Sequence, residues 1–170
     1  GIEPGHRATE RKDSTMTFAT ADISDDDPLS CELCDAPFRD FGRRRTFWGQ
    51  AVTLKVRDDH RAGVEACLEP GHGRILVIDG SGSRAVALFG GTMASIAVRN
   101  GWAGAIVFGA IRDAEEIATY DLGVKALCTT PRSSAVRSPH ERDVAVSFGE
   151  VTIEPGAWIY ADADLSLIHI

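Results

Sequence analysis

A chain of 170 residues that is 44% hydrophobic and 25% charged can bury a core without disulfides or a structural metal, and its composition is that of one globular domain. Its net charge of −7 argues against generic nucleic-acid binding, which requires a basic surface. The sequence has no apolar run of the roughly 18 residues that a membrane-spanning helix needs. We therefore expect a cytoplasmic protein that binds neither nucleic acid directly nor a membrane.

The two ends of the chain differ in character from its middle. Residues 1–15, GIEPGHRATERKDST, are polar and precede a methionine, and we expect them to be a vector-derived remnant or a disordered leader. Residues 16–170 are predicted to form a single domain. The C-terminal segment DADLSLIHI is apolar and contains no recognisable turn or cap.

Hydrophobic patterning predicts strands that alternate with helices in the middle of the chain and strands alone near its end. In chain order, the predicted elements are a loop and strand over 38–56, a helix over 61–68, a buried strand over 74–79, a helix that includes 93–97, a buried strand over 105–108, a helix over about 113–120, a strand over 124–128, a hairpin from 144–148 and 151–153, and a strand over 158–161. This order predicts a mixed α/β sandwich with one helical layer.

The segment GGTMASIAVRNGWAGAIVFGAIRD, residues 90–113, is the most informative part of the sequence. It predicts a helix, a turn and a strand buried on both faces, followed directly by Arg112 and Asp113. Charged residues at the carboxyl end of a buried strand lie where α/β proteins collect ligands. The pair is therefore the first candidate for chemistry.

Two structural alternatives stay open for this segment. Asp113 is also a candidate N-cap that forms a capping box with Glu116, and Arg112 a surface residue that pairs with Glu115 or Glu116. The start of the preceding helix, Gly90-Gly91-Thr92, is either a carboxylate- or phosphate-binding turn or an ordinary helix start capped by Thr92.

Other motifs are weak. Cys31-x-x-Cys34 has the spacing of half a zinc site or a redox pair, but it has no second pair, and free thiols are the simpler interpretation. The turn after residue 79, GSGS, lacks the third glycine and the later acidic residue of a dinucleotide fingerprint. The five histidines are dispersed, and no G-x-S-x-G elbow supports a hydrolase triad. With only three lysines, carbonyl chemistry would more readily use a metal than a Schiff base.

Several blocks in a specific order resemble the regulator of ribonuclease activity A family and its aldolase relatives. They cover most of residues 22–164 and are FRDFGRRRTFWGQAVTLKV, RILVIDGSGSRAVAL, AVRNGWAGAIVFGAIRD, DLGVKAL, PRSS and ERDVAVSFGEVTIEPGAWIYAD. The resemblance implies a β–β–α sandwich of the swivelling-domain type, assembled as a trimeric ring or a dimer of trimers with sites between subunits.

The resemblance also implies an activity. Aldolase members cleave 4-hydroxy-4-methyl-2-oxoglutarate to two pyruvates and decarboxylate oxaloacetate, in both cases through a pyruvate enolate and with Mg²⁺ or Mn²⁺. The positions that match the family's site are Asp113 for the metal, Arg112 for substrate binding and catalysis, and the turn of Gly90, Gly91, Thr92 and Met93 for substrate binding.

One departure separates this chain from the aldolase members, which carry an Asp twenty-one residues before the Arg, where this chain has Gly91. The departure favours decarboxylation, which needs no general base on a hydroxyl. It also predicts that Gly91→Asp increases aldol cleavage. The other branch of the family implies an alternative function, a regulator that binds and inhibits ribonuclease E, whose arginine-rich segment an acidic chain could contact.

Overall fold

The protein is described by a computed structural model that covers residues 31–163 and 166–169, so the expectation for residues 1–15 lies outside the described residues. The helices are α1 (Arg61–Leu68), α2 (Gly91–Arg99) and α3 (Ala114–Ile117). The strands are β1 (Cys31–Cys34), β2 (Arg39–Asp40), β3 (Phe47–Lys55), β4 (Ile75–Asp79), β5 (Ala87–Phe89), β6 (Gly104–Ile111), β7 (Gly123–Thr129), β8 (Glu141–Arg142), β9 (Val146–Phe148), β10 (Val151–Ile153), β11 (Trp158–Ala161) and β12 (Ser166–His169).

One large sheet dominates the described residues. Its strands follow the order β1-β12-β11-β3-β4-β6-β7-β2, with β5 beside β6 and β8 beside β3. The central strands β3, β4, β6 and β7 are parallel. Parallel neighbours need a crossover connection, and the helices predicted between these strands supply it. The hairpin β9–β10 forms a separate two-stranded sheet.

The large sheet is covered on both faces, which explains the continuous apolar runs of its central strands. On one face, Leu54, Ile78 and Val107 belong to a core that includes the buried sides of the helices. On the other face, Phe47 and Ile106 pack in a second core with the hairpin, whose contributions are Val146, Phe148, Val151 and Ile153. The layers are hairpin, sheet and helices, so the predicted mixed α/β sandwich with one helical layer is confirmed.

Most predicted elements are present, with several informative differences. The bounds of α1 and β11 are those predicted. Strand β6 continues past residue 108 through Gly109 to Ile111. At Gly109 it packs closely against β5, since a Cβ atom there would lie 3.0 Å from the side chain of Leu88. Strand β5 itself was not predicted, and α3 is shorter than expected. Residues 166–169 of the C-terminal segment form β12, which pairs with both β1 and β11.

Within the part of the chain that the structure describes, no helix is both long and apolar enough to cross a membrane.

Candidate active site

The pairing of β5 with β6 creates the candidate site. The two strands are parallel, with Phe89 opposite Ile111, so they end at the same edge of the sheet. The backbone N–H of Arg112 donates to the carbonyl of Phe89 at 3.0 Å. The residues that follow each strand, Gly90 and Arg112, therefore lie side by side although a helix separates them in sequence.

A cavity of about 150 Å³ opens at this edge. All six predicted site residues line it, namely Gly90, Gly91, Thr92, Met93, Arg112 and Asp113. His60 and Ser133 contribute to the same wall. The structure thus brings the sequence-predicted residues together, while their chemical roles stay predictions.

Asp113 links two helices. It precedes α3 with a left-handed backbone (φ 59°, ψ 41°), yet its side chain makes no capping bond to α3. Its Oδ2 atom instead accepts a hydrogen bond of 3.0 Å from the backbone N–H of Gly91, at the start of α2. The structural alternative, a capping box between Asp113 and Glu116, is therefore not formed. Thr92 is not the cap of α2 either, because Gly90 holds that position and has no side chain.

Arg112 has Asp113 as its ion-pair partner rather than Glu115 or Glu116, so the predicted surface pairing is also wrong. Its Nε atom lies 3.8 Å from Oδ2 of Asp113, and the two side chains are 45% and 46% exposed. A loose pair at this exposure leaves both groups accessible to a ligand. Gly90 permits the arrangement, because a Cβ atom there would lie 3.2 Å from Oδ2 of Asp113 and 3.3 Å from Cγ of Arg112.

Gly91 has no side chain, and this leaves space for the carboxylate of Glu116 beside the start of α2. A Cβ atom at this position would collide with the side-chain carboxylate of Glu116 on α3. The same carboxylate accepts a hydrogen bond of 3.1 Å from the hydroxyl of Tyr120. Gly91 does not have a positive φ angle, so the constraint at this position is the neighbouring carboxylate and not the backbone.

The start of α2 supplies hydrogen-bond donors. The N–H groups of a first helical turn have no intrahelical acceptors, and the bond from Ala94 to the Gly90 carbonyl at 3.0 Å marks where such bonding begins. The carboxylate of Asp113 accepts a hydrogen bond from the N–H of Gly91. The N–H groups of Thr92 and Met93 have no acceptor within the helix. Such N–H groups, at the positive end of the helix dipole, bind carboxylates.

His60 is a site residue that the sequence did not reveal. It precedes α1, and its ring Nδ1 atom lies 2.9 Å from the hydroxyl of Ser134. Burial lowers the pKa of His60, and the charges of Arg61 and Arg112 lower it further against an opposing effect of Asp59. The lowered pKa favours the neutral ring near pH 7. The distance in sequence between His60 and Gly90 or Arg112 does not predict that they meet, because only the packing of α1 brings His60 to the cavity.

The donor chemistry at this edge fits a hard cation. Among residues 31–163 and 166–169, no three His, Cys, Asp or Glu side chains gather as they would around a tightly bound metal. Asp113 and the nearby Glu116 offer oxygen atoms only. Mg²⁺ and Mn²⁺ accept one or two carboxylates with several waters, whereas zinc prefers nitrogen and sulfur ligands.

Two weaker motifs do not contribute to this site. Cys31 and Cys34 form no disulfide, and positions three apart on β1 face opposite sides of the strand. Burial raises the pKa of the Cys34 thiol. In the glycine-rich turn after β4, Gly80 and Gly82 donate their N–H groups to the Phe108 carbonyl at 3.0 and 3.1 Å, so the turn is not a phosphate cradle. A larger and more open cavity of about 570 Å³ beside that turn lacks Arg112 and Asp113.

Comparison with known proteins places this architecture in a family. A family model described as "RraA-like: Aldolase/RraA" matches residues 20–165. A protein of Alkalilimnicola ehrlichii named "Putative 4-hydroxy-4-methyl-2-oxoglutarate aldolase" is 46% identical over 149 residues, which cover 88% of this chain and 92% of that protein.

Solved structures agree with this placement. The "RNA-processing inhibitor RraA" from Thermus thermophilis has a TM-score of 0.86 and 38% identity, covering 91% of this chain and 93% of its own. A Geobacillus kaustophilus protein named "S-adenosylmethionine: 2-dimethylmenaquinone methyltransferase" has a TM-score of 0.87 and 41% identity, covering 89% of this chain and 94% of its own. This protein therefore belongs to the RraA-like family, Aldolase/RraA.

Proposed function

We propose that this protein is a divalent-metal-dependent lyase that acts on small 2-oxo acids, by decarboxylating oxaloacetate, by cleaving 4-hydroxy-4-methyl-2-oxoglutarate, or both. The observation that carries the proposal is the cavity where Arg112, Asp113 and the start of α2 meet. The aldolase names of relatives such as the Alkalilimnicola ehrlichii protein support it.

Each group in the cavity has a role in this chemistry. The N–H groups at the start of α2 bind a substrate carboxylate, and the guanidinium of Arg112 stabilises the negative charge that develops on the enolate oxygen. Asp113 would hold Mg²⁺ or Mn²⁺, which supplies Lewis-acid polarisation of the 2-oxo group when bound. Because Asp113 also accepts the Gly91 N–H, its carboxylate is fixed relative to the substrate-binding turn.

Of the two reactions, decarboxylation asks less of these residues. In oxaloacetate, the bond to the departing carbon dioxide breaks and its electron pair moves into the 2-oxo group, giving pyruvate enolate, which then takes a proton from water. Aldol cleavage additionally requires removal of a proton from the 4-hydroxyl. With glycine at position 91, Glu116 is the acid beside Asp113, and it is held by Tyr120 on the exposed surface.

The test is the release of pyruvate from oxaloacetate with Mg²⁺ or Mn²⁺, after subtraction of the reaction with free metal. We expect Arg112→Ala to lower the rate by roughly 10-fold or more, since its loss removes about 2 kcal/mol of charge-assisted binding in the transition state. Asp113→Ala should abolish the dependence on metal. Arg99→Ala, at the exposed far end of α2, is the matched control. Equal rates in all four proteins would refute the lyase proposal.

We further propose that the site operates in a trimeric ring, or a dimer of trimers, near a subunit boundary. Arg112 and Asp113 are about half exposed, so the cavity is open on a side that a neighbouring subunit could cover. Closed cyclic symmetry is the usual solution for such assemblies. Light scattering that gives a monomer of 18.2 kDa at micromolar concentration would contradict it.

A second candidate function is regulation of ribonuclease E, which the high structural similarity to the RNA-processing inhibitor RraA from Thermus thermophilis supports. The net charge of −7 suits contact with an arginine-rich segment. The test is RNA cleavage by ribonuclease E at saturating protein, with a pull-down at low and moderate salt. Arg112→Ala separates the two candidates, because it should lower lyase activity and leave inhibition intact. Unchanged cleavage with the wild-type protein would exclude the regulator function for this ribonuclease.

A further inference from the structure

The cavity contains a polar group that the proposed chemistry does not use. His60 lines the same wall as Gly90 and Arg112, although it comes from the segment before α1. Its ring is half-buried, and Arg112 is close enough to affect the pKa of His60. The two groups therefore border one small space from two separate elements.

Ser134 determines how the ring is oriented. This serine is 8% exposed, and its hydroxyl oxygen accepts the backbone N–H of His60 at 3.1 Å. The ring Nδ1 atom lies 2.9 Å from the same oxygen. The hydroxyl oxygen already accepts the backbone N–H of His60, so the arrangement that satisfies both groups has the O–H of Ser134 donating to Nδ1. In the neutral ring the proton then resides on Nε2, the nitrogen on the opposite edge from Ser134.

We propose that the Nε2–H group of His60 is a second hydrogen-bond donor to the bound 2-oxo acid, acting together with Arg112. This inference rests on the lyase function proposed above. An anionic ligand in a cavity of about 150 Å³ has room for few neighbours, and it needs donors on more than one side. A neutral N–H donor adds to the binding without placing a second full charge against Arg112.

The loop that carries Ser134 is itself held in place, which makes the donor rigid. Asp59, next to His60, accepts hydrogen bonds from the backbone N–H of Ser138 at 2.9 Å and from the guanidinium of Arg61 at 2.9 Å. Two consecutive residues, Asp59 and His60, therefore anchor the same loop at two points. A donor fixed in this way loses little freedom when a ligand binds.

The test is calorimetric titration with oxalate in the presence of Mg²⁺, because oxalate is a planar dianion shaped like pyruvate enolate. His60→Phe keeps a ring but has no N–H donor, whereas His60→Gln keeps a donor but has no ring. We expect His60→Phe to weaken oxalate binding by about 10-fold, and His60→Gln to retain affinity within about 3-fold of the wild type. A purely structural role would give the opposite order, because phenylalanine replaces the ring volume better.

Controls separate this inference from the proposed function. His140→Phe changes an exposed histidine outside the cavity and should bind oxalate like the wild type. If Arg112→Ala weakens binding but His60→Phe does not, the His60 inference is wrong and the proposed function stands. If neither variant changes oxalate affinity, the proposed function fails as well. Melting temperatures without oxalate show whether each variant is folded.

A nitrogen-15 NMR spectrum of the histidine rings gives a second readout. We expect the His60 signals, assigned by their absence in His60→Gln, to show a neutral ring with the proton on Nε2 near pH 7. Saturating oxalate should shift the Nε2 resonance. A proton on Nδ1, or an Nε2 resonance that oxalate leaves unmoved, would overturn the inference even if affinities changed.

Discussion

The carboxylate of Asp113 caps a helix other than its own, because it accepts the N–H of Gly91 at the start of α2 while it precedes α3. This bond crosses from the end of β6 to the end of β5. It fixes the distance between the substrate-binding turn and the residue proposed to hold the metal. Structural and chemical roles therefore meet in one side chain, and substitutions can separate them.

Asp113→Ala and Asp113→Asn should differ in stability but not in metal binding. Alanine removes the cap and disfavours the left-handed backbone, so we expect a loss of about 1 kcal/mol in unfolding free energy. Asparagine keeps an acceptor oxygen and tolerates this backbone, so it should retain most of the stability. Both should lose Mn²⁺ affinity. Urea unfolding and Mn²⁺ titration check this, with Glu115→Gln as control. Wild-type Mn²⁺ affinity in Asp113→Asn would exclude Asp113 as the ligand.

Gly91→Asp should increase aldol cleavage most when Glu116 is also changed. The new side chain would enter the space that the Glu116 carboxylate occupies, and two like charges at this distance disfavour each other. We expect the double variant Gly91→Asp/Glu116→Gln to cleave 4-hydroxy-4-methyl-2-oxoglutarate faster than Gly91→Asp alone. Glu116→Gln is the control for the loss of the native acid. If the double variant is folded, binds Mn²⁺ and is no faster than the wild type, an acid at position 91 has no role here.

Lys125 should be a major determinant of stability and not of catalysis. Its side chain is 4% exposed, and Nζ lies 2.9 Å from Oδ1 of Asp40 and 2.6 Å from the carbonyl of Asp162. Lys125→Met leaves the largely buried Asp40 with only Arg45, at 4.0 Å, as an ion-pair partner, and should cost about 3 kcal/mol. The double variant Lys125→Met/Asp40→Asn should recover part of this loss in urea unfolding. Additive effects of the two substitutions would show that the pair is not coupled.

The contribution of Asp59 to stability should disappear in acid. Burial raises the pKa of Asp59, but the hydrogen bonds from Ser138 and Arg61 outweigh it and hold the pKa below its ordinary value of 3.8. A lowered folded-state pKa means that the carboxylate stabilises the fold above about pH 3.8 and loses this effect as the pH falls through the folded value. Asp59→Asn should therefore lower the melting temperature near neutral pH, and the difference from wild type should shrink as the pH falls below about 3.8. Glu65→Gln, on the exposed side of α1, is the control. A difference that is constant with pH would point to lost packing instead of charge.

Local patterns predicted the elements better than they predicted the contacts between them. The bounds of helix α1 and strand β11 were predictable from the spacing of their apolar residues and from the turn residues beside them. The position of Arg112 at the sheet edge was predictable because it comes directly after a buried strand. Strand β5 has only three residues, too few for any period, so its pairing with β6 was not visible. His60 reaches the cavity only through the packing of α1. The single turn of α3, which places Glu116 against Gly91, likewise depends on tertiary contacts.

The contact between Gly91 and Glu116 constrains how this protein can change by mutation. In this chain the carboxylate of Glu116 fills the space beside the start of α2, and a side chain at position 91 would collide with it. A lineage that moves the acid from one position to the other must pass through a protein with two crowded carboxylates or one with none. A side chain at position 91 displaces the carboxylate of Glu116, so the two positions are expected to change together.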